Sequence, residues 1–208
     1  IFILVIAFII RIWIFFKTLN QPLWWDEGDY LATAKNWGLS LQVDDTWYYR
    51  RGYFWPLFSS FLFRFGFGEI GIKVATVFFS MGLIIISYLL IKEMFNKKLA
   101  LFVSIFMAFC WIILFFTGKI MTEIPSSFFL LTSLLFFWKG YILKKGDKFL
   151  YLFIVFLMLG LMTRMQFLMF LPIFLIIIFL NEKFHMFVNK KLWIALGLFF
   201  LLFTPWLV

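Results

Sequence analysis

Seven apolar runs, at residues 1–16, 70–91, 99–118, 124–143, 149–163, 165–181 and 192–208, constrain what this chain can fold into more than any other feature. A helix needs roughly 20 apolar residues to cross a bilayer, and inside hydrocarbon each backbone polar group must be satisfied within the segment, which favours helices. The runs therefore predict an all-α, polytopic transmembrane helical bundle. With 65% hydrophobic and only 14% charged residues, the chain has too little polar surface to cover a water-soluble domain. The fifth run is short, and only Thr163, Arg164, Met165 and Gln166 part it from the sixth, which predicts a tight or partly inserted hairpin. Ile1 and Val208 both lie inside apolar runs, so residues 1–208 read as one domain at the N-terminal end of a longer protein.

A net charge of +9 invites a nucleic-acid reading, but its distribution points to a membrane instead. Loops 92–98, 139–148 and 182–191 hold ten lysines against Glu93, Asp147 and Glu182, a net of +7. The remaining loops hold eight basic and seven acidic residues, a net of +1, while Arg11 lies within the first run. Because positive charge collects on the cytoplasmic side, the lysine-rich loops are expected inside and the long 17–69 loop outside. A multi-pass protein of the cell membrane with its site on the outer face is the expected localisation. Cys110, the chain's one cysteine, leaves no intrachain disulfide and no cysteine metal site.

Ionised groups beside a membrane span mark a functional site by default, and Trp24-Trp25-Asp26-Glu27-Gly28-Asp29-Tyr30 sets three carboxylates directly after the first run. Asp26 can cap a short helix reaching Asn36 or Trp37 and ended by Gly38. Along it Tyr30, Leu31, Ala34 and Trp37 form an apolar stripe opposite Asp29, Thr33 and Asn36, as an interfacial helix would. A second helix is expected from Pro56, with Leu57, Phe58, Phe61, Leu62 and Phe65 too few to span. Between the two lies the polar and aromatic stretch with Asp44, Asp45, Arg50 and Arg51. Glu123 falls in the first turn of a later helix, where Thr122 can cap and the macrodipole favours an anion.

The order of these residues carries a family resemblance. A first span is followed by Trp-Asp-Glu-Gly-Asp-Tyr-Leu-Ala-Thr-Ala (25–34), Pro-Leu (56–57) and Phe-Gly-Phe-Gly-Glu-Ile-Gly-Ile-Lys (65–73). Thr-Gly-Lys-Ile-Met-Thr-Glu-Ile-Pro (117–125) and the Gly160–Pro172 stretch with Arg164 come later. The whole resembles the dolichyl-phosphate-mannose protein mannosyltransferase-like and aminoarabinose transferase-like enzymes of the GT-C superfamily. That resemblance implies a GT-C-like bundle with interfacial helices in its first outer loop. It also implies inverting transfer of a sugar from a polyprenyl- or dolichyl-phosphate donor to a hydroxyl of a protein, lipid or glycan.

By the same resemblance Asp26 takes the position of the catalytic base, with Glu27 beside it to bind acceptor or metal or to set the local field. Glu123 takes the second acidic position, where many relatives have Asp, which leaves a divalent metal open. Arg50, Arg51, Lys119 and Arg164 are the candidates to neutralise the donor phosphate. Each has a structural alternative: Asp26 and Glu27 solvated behind an aromatic belt, Asp29 and Glu123 serving helix starts, the cations snorkelling to lipid headgroups. Two other functions fit a chain of this class, a secondary transporter or lipid flippase and a noncatalytic membrane scaffold of the same fold. Arg11 is the mid-span charge a transporter would use. No nucleotide-binding glycine loop, Walker motif or zinc spacing occurs, and no nucleic-acid partner is expected.

Overall fold

The computed structural model describes residues 2–41 and 52–204, so Asp44, Asp45, Arg50 and Arg51 lie outside the described residues. Among the described residues every regular element is a helix: α1 (Phe2–Thr18), α2 (Trp25–Leu39), α3 (Phe54–Arg64), α4 (Gly68–Met94), α5 (Lys97–Phe109), α6 (Trp111–Thr117), α7 (Glu123–Phe137), α8 (Asp147–Thr163), α9 (Leu171–Glu182) and α10 (Lys190–Phe203). A π turn at Trp138–Ile142 extends α7, and 3-10 turns precede and follow α9 at Met165–Phe170 and Lys183–Phe187.

The apolar runs do become helices, but not all as long uninterrupted ones. Two stretches, Gly68–Met94 and Met165–Phe187, are long and apolar enough to cross a membrane, and α5 with α6 makes a third if the pair, bent by 52°, is one span. The 99–118 run is broken because Cys110 is extended, with φ −61° and ψ 117°, which ends the ladder of α5. Hydropathy carries no mark of that break, since both arms are equally apolar.

What holds these helices together differs from a soluble core. Phe8, Trp13, Phe78, Phe102, Phe106, Trp111 and Leu180 face outward, and apolar patches of this extent fit hydrocarbon better than water. Inward, α4 presents Thr76, Ser80 and Ser87, all buried. Small and hydroxylated residues let backbones approach closely in a membrane interior, and the hydroxyls of Thr76 and Ser87 bond carbonyls one turn back at 3.0 and 2.7 Å. α7 and α8 pack as an antiparallel hairpin, and Phe137 of α7 and Phe153 of α8 are buried together with Phe174 of α9.

The local structure of α2 and α3 corrects several expectations. Trp24 is the residue before α2, so Asp26 lies within its first turn instead of capping it. Gly38 does not end α2, which runs on to Leu39 and turns at Ser40 with φ 54°. Gly38 is instead a contact point with α3, where an added Cβ would lie 2.5 Å from the Ser60 carbonyl oxygen. The buried face of α2 is Glu27, Tyr30, Leu31, Thr33, Ala34 and Asn36, with Trp37 exposed, because the helix packs along α3 and its polar residues are enclosed too. Thr122 precedes α7, but its side chain makes no capping bond.

The hairpin also sorts charge between its ends. Glu93 meets Lys145 at 2.8 Å and Lys139 at 3.5 Å, and Asp147 meets Lys191 at 2.8 Å, all at the end where α7 finishes and α8 begins. The start of α7 and the finish of α8 lie at the other end, beside α2.

Candidate active site

Helix geometry separates the two adjacent acids of α2. Successive residues of an α-helix point about 100° apart, so Asp26 and Glu27 leave α2 in different directions. Asp26 lines a polar cavity of about 140 Å³ together with Tyr30, Gly52, Thr122, Glu123, Thr163, Arg164, Met165 and Gln166. Glu27 turns inward and is only 3% exposed.

Burying a carboxylate costs several kcal/mol unless it is paired and hydrogen-bonded. Glu27 is both. Its Oε2 accepts from the Trp24 backbone N–H at 2.8 Å, satisfying a donor at the start of α2. Its Oε1 accepts from the Ile120 N–H at 2.6 Å, across the molecule in the segment between α6 and α7. Lys119 Nζ approaches Oε2 at 3.9 Å, the outer limit of an ion pair. The same ammonium lies over the rings of Trp24 and Phe115, 4.6 and 5.0 Å from their centroids. Glu27 thus ties the start of α2 to residues 119–120, and Lys119 is buried with it behind the cavity.

The cavity's other wall comes from the α7–α8 hairpin. Glu123 opens α7, and Arg164, extended at φ −151° and ψ 109°, follows the last residue of α8. Their charges meet at 2.6 Å, Glu123 Oε1 to Arg164 Nη1, with both side chains partly exposed. Glu123 Oε2 is buried and has no hydrogen-bond partner among the described residues. Gly52 fits against the backbone of Met162 and Thr163, where any Cβ would collide, and it lies on the lining of the cavity. Burial of the adjacent Tyr53 raises its pKa above the ordinary tyrosine value, keeping the hydroxyl protonated.

Of the residues singled out from the sequence, Asp26, Glu123 and Arg164 share one cavity, Glu27 and Lys119 form a buried pair beside it, and Arg50 and Arg51 lie outside the described residues. Tyr30, Thr163 and Gln166 line the cavity as well and were not singled out for it. For Tyr30 a signal existed, since it stands four residues after Asp26 and so on the same helix face. A divalent ion entering here would find two carboxylates, Asp26 and Glu123; among the described residues no three His, Cys, Asp or Glu side chains cluster as a metal site.

No curated protein and no solved structure matches the chain. The model of one family, described as dolichyl-phosphate-mannose-protein mannosyltransferase, matches residues 53–208, about three quarters of the sequence. The matched stretch includes Glu123 and Arg164 and begins after Asp26 and Glu27. Its extent, on a chain of apolar helices, identifies this as a membrane protein that belongs to the dolichyl-phosphate-mannose-protein mannosyltransferase family of glycosyltransferases.

Proposed function

We propose that this chain carries the catalytic site of an inverting glycosyltransferase that moves a sugar from a polyprenyl- or dolichyl-phosphate donor to an acceptor hydroxyl. The observation that carries the proposal is the meeting of Asp26, Glu123 and Arg164 in one polar cavity. In a single displacement the acceptor oxygen bonds the anomeric carbon as the bond from that carbon to the phosphate oxygen breaks. The electron pair leaves with the lipid phosphate, and the acceptor's proton passes to Asp26. One base and one phosphate partner suffice, so the anomeric centre inverts.

Arg164 takes the phosphate. A guanidinium has five N–H donors, and Glu123 engages one end of it through Nη1, leaving others for phosphate oxygens, whose geometry a guanidinium matches. Glu123 orients Arg164 and presents its second oxygen to the acceptor. Glu27 and Lys119 are positioning residues that fix the first turn of α2. The transporter reading rested on Arg11, whose guanidinium is committed to backbone carbonyls and Ser80, and among the described residues one bent helix pair occurs where a repeat would need two.

The enzyme is multi-pass, with the cavity on the outer face of the cell membrane, a reading supported by the lysine-rich loops gathering at the opposite end of the α7–α8 hairpin. In intact cells a membrane-impermeant thiol reagent is expected to label an Asp45→Cys variant and miss Lys148→Cys; the reverse pattern contradicts this orientation. The activity itself is tested with membranes containing the full-length protein and a panel of polyprenyl- and dolichyl-phosphate sugars. At least one donor is expected to be consumed above membranes lacking the protein, and no consumption across the panel overturns the proposal.

A further inference from the structure

We infer that Arg11, buried in α1 far from the cavity, is a positioning residue of the active site that works by clamping the break between α5 and α6. The inference rests on the reading of Asp26 as the base. Arg11 is 0% exposed, and an arginine stays charged, so its burial needs strong compensation. The last carbonyls of a helix lack intrahelical donors and carry the negative end of its dipole. Arg11 Nη1 and Nη2 donate to two of them at the end of α5, Ala108 O at 3.2 Å and Met107 O at 3.3 Å. Nη1 also reaches Ala7 O at 3.1 Å. The break at Cys110 and the charge in α1 therefore explain each other.

From there the contacts run toward the cavity. Arg11 Nε donates to Ser80 Oγ at 2.8 Å, Ser80 Oγ lies 2.8 Å from Thr117 Oγ1, and Thr117 Oγ1 lies 2.6 Å from Ile113 O. This chain of hydroxyls holds the last turn of α6 against α4. Thr117 itself is buried, as are Lys119 and Ile120 just after it. Gly118 packs on Thr18 so tightly that a Cβ would collide with its hydroxyl. The segment thus held supplies the Ile120 N–H to Glu27, and three residues later Glu123. The start of α2, through Glu27, and the start of α7, through Glu123, both depend on residues 117–120, and Arg11 secures the helix break that precedes them.

The test uses the full-length protein in membranes, with dolichyl-phosphate mannose as donor and the rate of Cys110 modification by N-ethylmaleimide, followed by mass spectrometry, as a readout of the break. Arg11→Met and Thr117→Val are expected to lower kcat about tenfold, the cost of a displacement near 1 Å at a reacting group being up to about 100-fold, with donor KM nearly unchanged. Cys110 labelling should quicken in Arg11→Met, with Arg11→Lys intermediate in both readouts. Ser80→Ala, which leaves the charge in place, tests the same link if Arg11→Met does not insert. Unchanged kcat in Arg11→Met or Ser80→Ala overturns the inference, as does a lowered kcat in Arg11→Met with unchanged Cys110 labelling. Asp26→Asn run alongside should leave Cys110 labelling as it was. If Asp26→Asn keeps its turnover, the assignment of the base falls by itself, while Cys110 labelling still decides whether Arg11 holds the break.

Discussion

Asp26→Asn is expected to lower sugar transfer by on the order of 100-fold or more, because the amide cannot accept the acceptor's proton. The substitution keeps size and polarity within the first turn of α2, and the bond to the Trp24 N–H at the helix start comes from Glu27. Folding and insertion should therefore be unaffected. Glu27→Gln should behave differently. It keeps shape but weakens the acceptor of two backbone N–H bonds and removes the partner charge of the buried Lys119, so its loss appears in stability as well as in rate. Turnover of inserted Asp26→Asn, measured beside a thermal-stability profile of each variant, separates the two roles.

Arg164→Gln is expected to weaken donor binding by about 1.5–3 kcal/mol, the range for a hydrogen bond to a charged group, which is roughly 10- to 150-fold in Kd. Gln keeps an N–H donor on a shorter side chain but loses the charge proposed to face the phosphate. Arg164→Lys should recover only part of the affinity, because an ammonium cannot pair with two phosphate oxygens in a fixed plane. Equilibrium binding of the lipid-phosphate sugar consumed in the donor panel to the purified full-length protein checks this, and affinity unchanged in Arg164→Gln would make Arg164 a structural partner of Glu123 alone.

The helical class was legible in the sequence because apolar runs of this length leave the backbone few other solutions, and the acids of the first loop stood out because charge beside a span is costly. Glu27 and Asp26 were separable only by the family resemblance, not by the residues themselves. They are neighbours in sequence with the same chemistry, and only the helical phase of α2, fixed by packing on α3, turns one to the cavity and the other inward. Lys119 looked like a free cation for the same reason; nothing local announces that Trp24 and Phe115 enclose it.

The pairing of Glu123 with Arg164 was within reach of sequence reasoning. A hairpin of two helices of similar length returns the chain to its starting end, so the first residue of α7 and the first residue after α8 must lie close together. The break at Cys110 was not, because a bend between two apolar arms leaves hydropathy unchanged. Arg11 was the visible trace of it, an ionised group in a span that had to find acceptors somewhere.

The claim that Asp26 and Arg164 act as base and phosphate partner within one cavity is tested most directly by measuring donor affinity and turnover together for Asp26→Asn and Arg164→Gln. The account predicts a split: Asp26→Asn binds the lipid-phosphate sugar consumed in the donor panel as well as the unaltered protein but scarcely turns it over, whereas Arg164→Gln binds it weakly. Near-normal turnover in Asp26→Asn together with unchanged donor affinity in Arg164→Gln would contradict it.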